Sequence, residues 1–213
     1  MSDSISVLLN AGNGIFLGQV EYPSDIYPKS IAAAAVNNDN KTDIVVANQG
    51  AHTVGVFLNF GNGTFHNQTS YLSLWNPIAL KLRDVNEDNK PDIAVLVSWS
   101  AGVNIHLNAG NGTFLTANIY PAGPGPTSLA IGDFNNDNQT DLVIADYSSN
   151  NISTLLNTGN GTFNTQIIYS SDSDPIAVAV ADINKDNKSD IIVINVGSNN
   201  IGVHLQCYNY LEN

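Results

Sequence analysis

Four short loops carry most of the side chains of this sequence that could do chemistry. Each loop contains Asn-x-Asp-Asn-x-x-Asp, and the motif ends at Asp43, Asp92, Asp141 and Asp190, always 49 residues apart. Three of the loops begin with a further Asp, which extends the pattern to Asp-x-Asn-x-Asp-Asn-x-x-Asp. Alternate residues of a tight turn point inward, so oxygens at positions 1, 3 and 5 can surround one cation.

The donors in these three loops are the ones that calcium prefers. Position 7 offers its carbonyl oxygen, and Asp at position 9 closes the shell. All-oxygen ligation with three carboxylates selects a hard divalent ion, and the loose geometry favours Ca²⁺ over Mg²⁺. Position 6 is predicted to be left-handed, which Asn tolerates. We predict about three calcium ions, held by Asp84, Asn86, Asp88, Lys90 and Asp92; by Asp133, Asn135, Asp137, Gln139 and Asp141; and by Asp182, Asn184, Asp186, Lys188 and Asp190.

The first loop differs because Ala35 replaces the first carboxylate. We predict a weak or empty fourth site there, formed by Asn37, Asp39, Lys41 and Asp43. Two alternatives to calcium sites exist. The loops could be metal-free Asn/Asp turns, but three crowded carboxylates would then repel one another. An EF-hand shares the opening spacing, but it needs Glu at position 12 and flanking helices, and neither is present.

The loops belong to a 49-residue repeat that runs through the chain. Gly-Asn-Gly recurs with the same period at Gly12, Gly61, Gly110 and Gly159. Each unit has four short apolar stretches rich in β-branched residues and separated by turn-formers. Near the C-terminus we expect these strands at Ala177–Ile183, Asp190–Asn195, Ile201–Gln206 and, from the preceding copy, Thr162–Tyr169. Such units predict an all-β fold, a β-propeller of about four four-stranded blades; a β-solenoid is the alternative.

We expect one propeller domain over residues 1–213, with repeat units at approximately 5–53, 54–102, 103–151 and 152–200 and a partial repeat and tail at 201–213. The first residues match the third and fourth strands of a blade. Pairing of N- and C-terminal strands would close the ring and hide the exposed sheet edges. This closure leaves one strand over, because both ends of the chain supply the third strand of a blade. An arc of a larger propeller or half of a dimer is the alternative, so the chain is expected to be a monomer or a homodimer.

The motifs carry a family resemblance. Two motifs, Leu-Leu-Asn-x-Gly-Asn-Gly-Thr-Phe and the acidic loop Asp-Phe-Asn-Asn-Asp-Asn-x-x-Asp at Asp133–Asp141, resemble the FG-GAP or VCBS repeats found in the head of integrin α-subunits. The resemblance implies calcium on one face of a propeller and ligand recognition on the opposite face. The chain departs from the family at Ala35 and at loop position 6, where Asn replaces the usual Gly, and it has fewer blades than the seven typical of integrins.

Composition narrows the function classes. A net charge of −12 with 7 Lys and Arg residues makes nucleic acid an unsuitable partner. There is no basic-then-apolar leader and no apolar run long enough for a bilayer, so membrane insertion is not expected. The lone Cys207 cannot form an internal disulfide. No catalytic motif occurs, and the paired carboxylates have the spacing of calcium loops, so the chain is not expected to be an enzyme; a hydrolase is the less favoured alternative.

The only two tryptophans mark a candidate ligand site. Trp75 and Trp99 fall in connections that border one blade on the face opposite the acidic loops. Exposed Trp is a frequent binding anchor, although the two could instead pack on each other or on the next blade. We therefore expect a non-catalytic binding or adhesion scaffold for a protein or glycan ligand. A lectin and a structural segment of a larger surface protein are alternatives. The acidic loops are of a kind that suits millimolar calcium, so an extracellular or cell-surface location is expected.

Overall fold

The structure is a computed structural model, and it describes residues 3–73 and 75–206. This part of the chain is all-β apart from a single 3-10 turn at Tyr147–Ser149. β-branched residues are frequent in the strands, and Asn or Gly residues with positive φ occupy the turns between them. The prediction of an all-β chain built from repeated four-stranded antiparallel units is confirmed.

The chain begins with two small antiparallel sheets. Strand β1 pairs with β4, and β2 pairs with β3 in the hairpin between them. By the 49-residue period, β1 and β4 correspond to the third and fourth strands of the later sheets. The strands are β1 (Ser4–Val7), β2 (Asn10–Gly12), β3 (Ile15–Phe16) and β4 (Val20–Pro23).

Three complete four-stranded sheets follow, and in each one consecutive strands lie side by side. The first contains β5 (Pro28–Ala34), β6 (Asp43–Asn48), β7 (Thr53–Phe57) and β8 (Thr69–Leu72). The second contains β9 (Pro77–Arg83), β10 (Asp92–Val97), β11 (Gly102–His106) and β12 (Asn118–Pro121). The third contains β13 (Pro126–Gly132), β14 (Asp141–Asp146), β15 (Asn151–Leu155) and β16 (Ile167–Ser170). A final three-stranded sheet contains β17 (Pro175–Ala181), β18 (Asp190–Asn195) and β19 (Asn200–His204).

Successive sheets pack face to face, and their first strands β5, β9, β13 and β17 contact one another in sequence. Every residue of the second strands β6, β10 and β14 is buried, because sheets cover both of their faces. The second strand of the last sheet is only partly buried, and its Ile194 is exposed. The apolar core is therefore a series of layers between sheets, and the last sheet has one uncovered face.

The predicted closed ring of four blades is wrong. The described residues form six sheets, of which three have four strands, and β1 and β4 pair only with each other. The reason is that β1 and β19 are both third strands. Strand β4 already pairs with β1, so it offers no partner position to β19. Cys207 and the rest of the tail to residue 213 lie outside the described residues.

Candidate metal loops and candidate ligand site

The acidic loops connect the first and second strands of the four larger sheets, so they lie at one edge of the molecule. Position 6 is left-handed in all four, as predicted, with φ of 60° at Asn40 and Asn89 and 64° at Asn138 and Asn187. Position 4 is left-handed as well, which the sequence analysis did not anticipate; it is occupied by Asn38, Glu87, Asn136 and Lys185. Because positions 4 and 6 are left-handed in every loop, the backbones of the four loops follow the same path.

The aspartate at position 9 is a structural brace. Asp92 is buried, and its Oδ2 accepts the backbone N–H of Val85 at 3.0 Å while its Oδ1 accepts that of Asn108 at 2.7 Å. The carboxylate thus ties the start of its loop to the residue two positions after the end of the third strand. The same two bonds recur at the other three loops, through Asp43, Asp141 and Asp190. Sequence reasoning had assigned these residues a ligand role alone.

The aspartate at position 1 is not needed for the loop to fold. Asp84 accepts three backbone N–H groups, with Asn86 at 3.2 Å, Asp88 at 3.3 Å and Asn89 at 2.7 Å. The first loop has Ala35 instead, yet it keeps the left-handed residues at positions 4 and 6. The first carboxylate is therefore free to serve another role, such as ligation.

The side chain at position 7 also makes contacts, in addition to the predicted role of the backbone carbonyl. The Lys90 Nζ lies 3.1 Å from Asp88 Oδ2, and the corresponding Lys–Asp pairs are 3.4 Å apart in the first loop and 3.6 Å apart in the last. The third loop has Gln139, which donates to Glu87 of the preceding loop at 2.7 Å. The ammonium groups offset part of the carboxylate repulsion in three loops. The loop with Gln139 lacks this internal cation.

The electrostatics of the central loops fit a divalent cation. Burial raises the pKa of Asp92 to about 6, and the nearby charges of Asp88 and Asp84 contribute to the rise. Asp141 behaves in the same way, with burial as the main cause and a pKa of about 6. Within the described residues no three acidic or histidine side chains already converge on one point. The all-oxygen donors and the repulsion among them nevertheless match what a calcium ion would neutralise, and the predicted ligands stay a prediction.

An aromatic cluster lies at the opposite edge of the molecule. Because strands alternate in direction, the connections between second and third strands and those between sheets emerge away from the acidic loops. Trp75 lies in the connection from β8 to β9 and is 55% exposed, and Trp99 lies in the connection from β10 to β11 and is 70% exposed. His52, from the connection between β6 and β7, lies between them, with ring centroids 5.5 Å from each indole. We call His52, Trp75 and Trp99 the aromatic cluster.

The cluster is held by hydrogen bonds between connections of two neighbouring sheets. The backbone N–H of Asn76 donates to Nδ1 of His52 at 3.0 Å, so Nε2 carries the proton of the neutral ring. The side-chain amide of Asn76 donates to Ser98 Oγ, and the Ser98 N–H donates to the Asn76 carbonyl at 3.2 Å. Trp75 and Trp99 each contact His52, and the described ring contacts include none between the two indoles.

Sequence reasoning identified the two tryptophans but missed His52. One signal was present in the repeat, since the equivalent residues are Ala101, Asn150 and Asn199. His52 is thus an aromatic replacement at the same edge as Trp75 and Trp99. The three replacements fall in three separate connections, so only the packing of neighbouring sheets shows that they meet.

Layered four-stranded sheets joined through their first strands, with an acidic loop in each larger sheet, define a propeller-type tandem-repeat protein. The FG-GAP-like repeat model matches residues 36–95, 84–144 and 133–193. These three matches cover most of the sequence, and the chain belongs to the FG-GAP-like repeat family.

Solved structures with propeller folds are similar to this chain. BBS1N in complex with ARL6DN is 14% identical, with a TM-score of 0.66 over 98% of this chain and 60% of that one. An Agrocybe aegerita lectin that recognises non-reducing terminal N-acetylglucosamine is 14% identical, with a TM-score of 0.63 over 97% and 67%. Streptogramin B lyase is 19% identical, with a TM-score of 0.58 over 97% and 63%. The chain thus spans 60% of the first of these proteins, and the likeness concerns the fold alone. A sequence search of curated proteins gives no match.

Proposed function

We propose that this chain is a calcium-stabilised propeller scaffold that binds a protein or glycan ligand, without catalysis, at the aromatic cluster. The observation that carries the proposal is the pair of exposed indoles on either side of the His52 ring. Large aromatic side chains left in contact with water at one place are typical binding anchors. Their flat faces stack on sugar rings or on a partner's apolar side chains.

The way the cluster is held also favours recognition. Hydrogen bonds from Asn76 join the connections that carry His52 and Trp99, so the three rings need little reordering when a ligand binds. A site ordered in advance loses less conformational entropy on binding. The acidic loops are at the other edge, where bound calcium would stabilise the sheets without occupying the ligand surface.

The proposal is non-catalytic because Nδ1 of both His52 and His106 is hydrogen-bonded to the backbone. Nδ1 of His52 accepts a backbone N–H, and His106 is buried within its sheet, where burial lowers its pKa. We propose an adhesive role outside the cell or at the cell surface, because the acidic loops are of a kind that suits millimolar calcium. Similar folds bind a protein in the BBS1N complex and a sugar in the Agrocybe aegerita lectin, so both ligand classes belong in the test.

The test is binding of the chain to glycan and protein arrays in calcium. We expect Trp75→Ala and Trp99→Ala each to weaken binding at least tenfold, since anchor residues contribute about 2 kcal/mol or more. His52→Asn is a mild change for the fold, because two other repeats carry Asn at the equivalent position. Tyr147→Ala is the matched control, because Tyr147 is an exposed aromatic at the same edge outside the cluster.

The melting temperature in calcium distinguishes a ligand site from core packing. We expect both tryptophan variants to melt within a few degrees of the unchanged chain. Full binding by both variants would contradict the proposal. A loss of about 3–5 kcal/mol of stability would contradict it as well, because that cost marks a core residue. If the chain binds only to the glycan arrays, its function is that of a lectin.

A further inference from the structure

The turns between third and fourth strands share a sequence and a hydrogen-bond pattern. Three of them read Gly-Asn-Gly-Thr, which contains the acceptor motif for N-linked glycans, Asn-x-Thr. In each turn the asparagine Oδ1 accepts both the backbone N–H and the hydroxyl of the threonine, and at Asn62 these bonds from Thr64 are 3.1 Å and 2.6 Å long. The three asparagines are exposed, and they are Asn62, Asn111 and Asn160.

The side-chain nitrogen of Asn62 is available for attachment. Thr64 holds the oxygen of this amide, and within residues 3–73 and 75–206 the nitrogen Nδ2 donates no hydrogen bond. Asn59 in the same turn differs, since its Nδ2 donates to the Thr42 carbonyl at 2.8 Å. A sugar on Nδ2 of Asn62 therefore breaks no hydrogen bond among the described residues.

The turn at Asn62 differs from its two repeats because it carries an exposed aromatic pair. Phe60 lies two residues before Asn62 and is 53% exposed, whereas the equivalent residues of the other turns are Ala109 and Thr158. The Phe60 ring stacks on the ring of His66, with centroids 3.7 Å apart and planes 29° from parallel. An aromatic surface thus accompanies one of the three acceptor motifs.

The pairing of the hairpin places Phe60 and Asn62 on one face. The N–H of Phe60 donates to the Thr64 carbonyl at 2.9 Å, and the N–H of His66 donates to the Leu58 carbonyl at 2.8 Å. Phe60 and Thr64 are therefore opposite each other and share a face, and the Thr64 hydroxyl holds the Asn62 side chain there. His66 lies one step further from the turn, so it covers the side of the Phe60 ring away from Asn62. The other side of the ring is open towards Asn62.

We infer that Asn62 carries an N-linked glycan whose first sugar packs on the open side of the Phe60 ring. In the attachment step Nδ2 forms a bond to C1 of N-acetylglucosamine, while the bond from C1 to the diphosphate of a lipid-linked oligosaccharide breaks. The lipid diphosphate leaves, and one amide proton passes to a basic group of the transferase. The apolar face of the sugar then shields the exposed ring from water. The inference rests on the proposed location outside the cell, because this transfer acts on exported chains.

Mapping of the glycans tests the attachment. The full chain is secreted from cultured animal cells with an added signal sequence. Its peptides are analysed by mass spectrometry after enzymatic deglycosylation, which leaves Asp in place of each glycosylated Asn. We expect Asn62 to be glycosylated in most molecules, and we expect Thr64→Ala to abolish this modification. An unmodified Asn62 in the secreted chain would overturn the inference.

Melting temperatures test the packing of the sugar on Phe60. Asn62→Gln removes the glycan from the secreted chain, and the same variant made without glycans in the bacterial cytosol gives the effect of the substitution alone. We expect the glycan to raise the melting temperature by about 2–4 °C, and by less than about 1 °C when Phe60→Ala is present. Asn111→Gln is the matched control, because Ala109 offers no ring to the sugar at Asn111. Equal gains with and without the Phe60 ring would overturn the inference.

The ligand arrays report separately on the proposed function. The Asn62 turn lies at the edge that carries the acidic loops, opposite the aromatic cluster, so Asn62→Gln should bind the same array ligands as the unchanged chain. A chain that carries the glycan on Asn62 but binds no array ligand would contradict the proposed function and support this inference.

Discussion

Asp92 is expected to stabilise the fold in the absence of calcium, which separates its role from that of a metal ligand. The Asp92→Ala change leaves the N–H groups of Val85 and Asn108 without their acceptor. Hydrogen bonds to a charged group contribute about 1.5–3 kcal/mol each, so the two bonds together contribute about 3–6 kcal/mol. Removing a buried carboxylate whose pKa is about 6 returns about 1–2 kcal/mol after allowance for solvent screening. We expect a net loss of about 2–4 kcal/mol.

The assay is urea denaturation with a chelator present, and Asp84→Ala is the matched control. The first loop folds with Ala35 at the same position, so we expect Asp84→Ala to cost about 1 kcal/mol or less in chelator. In excess calcium the control should lose a further 2–3 kcal/mol, roughly the binding free energy at a hundredfold ratio of ion to Kd. Equal costs of the two changes in chelator would refute the brace.

Three further changes test the packing and the buried charge. Burial raises the pKa of Asp146 to about 6. Because the unfolded chain releases this proton from about pH 4 upward, the contribution of Asp146 to the free energy of unfolding is full below about pH 4 and is lost as the pH rises through 6. In chelator, Asp146→Asn should gain about 1–3 kcal/mol over the unchanged chain between pH 4 and 7; parallel pH profiles would contradict this. Asn157→Ala removes the 2.8 Å bond from its amide to the Val85 carbonyl of the preceding sheet, and urea denaturation should show a loss of about 1–2 kcal/mol, whereas no loss would mean that the bond is dispensable. Phe163→Ala should cost about 3–4 kcal/mol and Phe16→Ala less than 1 kcal/mol, because only Phe163 is buried in the core between two sheets; similar costs in urea denaturation would contradict this difference in packing.

The repeat made much of the fold predictable. Each second strand was visible as an unbroken apolar run, and β18 was expected at Asp190–Asn195, where the structure has it. The first strand of the same sheet was expected at Ala177–Ile183 and lies at Pro175–Ala181. That boundary shifted because Ile183 belongs to the acidic loop, where its N–H bonds to Asp190.

Ring closure was beyond the reach of sequence reasoning because it depends on how sheets stack. Periodicity identifies β1 and β19 as third strands, but it does not say whether sheet packing brings the two ends together. The structure places them in separate sheets, each with its own partner strand.

The candidate sites were predictable where the chemistry is local and not where it crosses between sheets. The spacing within a loop sufficed to propose the donors around Asp88. It gave no sign that Asp92 braces a residue 16 positions away, or that Lys90 pairs with Asp88 in space. His52 was missed for the same reason, since it meets Trp99 across a sheet boundary.

Calorimetric titration of the metal-free chain with calcium is the most direct test of the central claim. We expect about three ions per chain, bound by the loops that begin with Asp84, Asp133 and Asp182, with little or no binding by the loop that begins with Ala35. The same samples should melt several degrees higher in calcium than in chelator, because an ion that binds only the folded chain stabilises it. No heat of binding and an unchanged melting temperature in chelator would contradict the account.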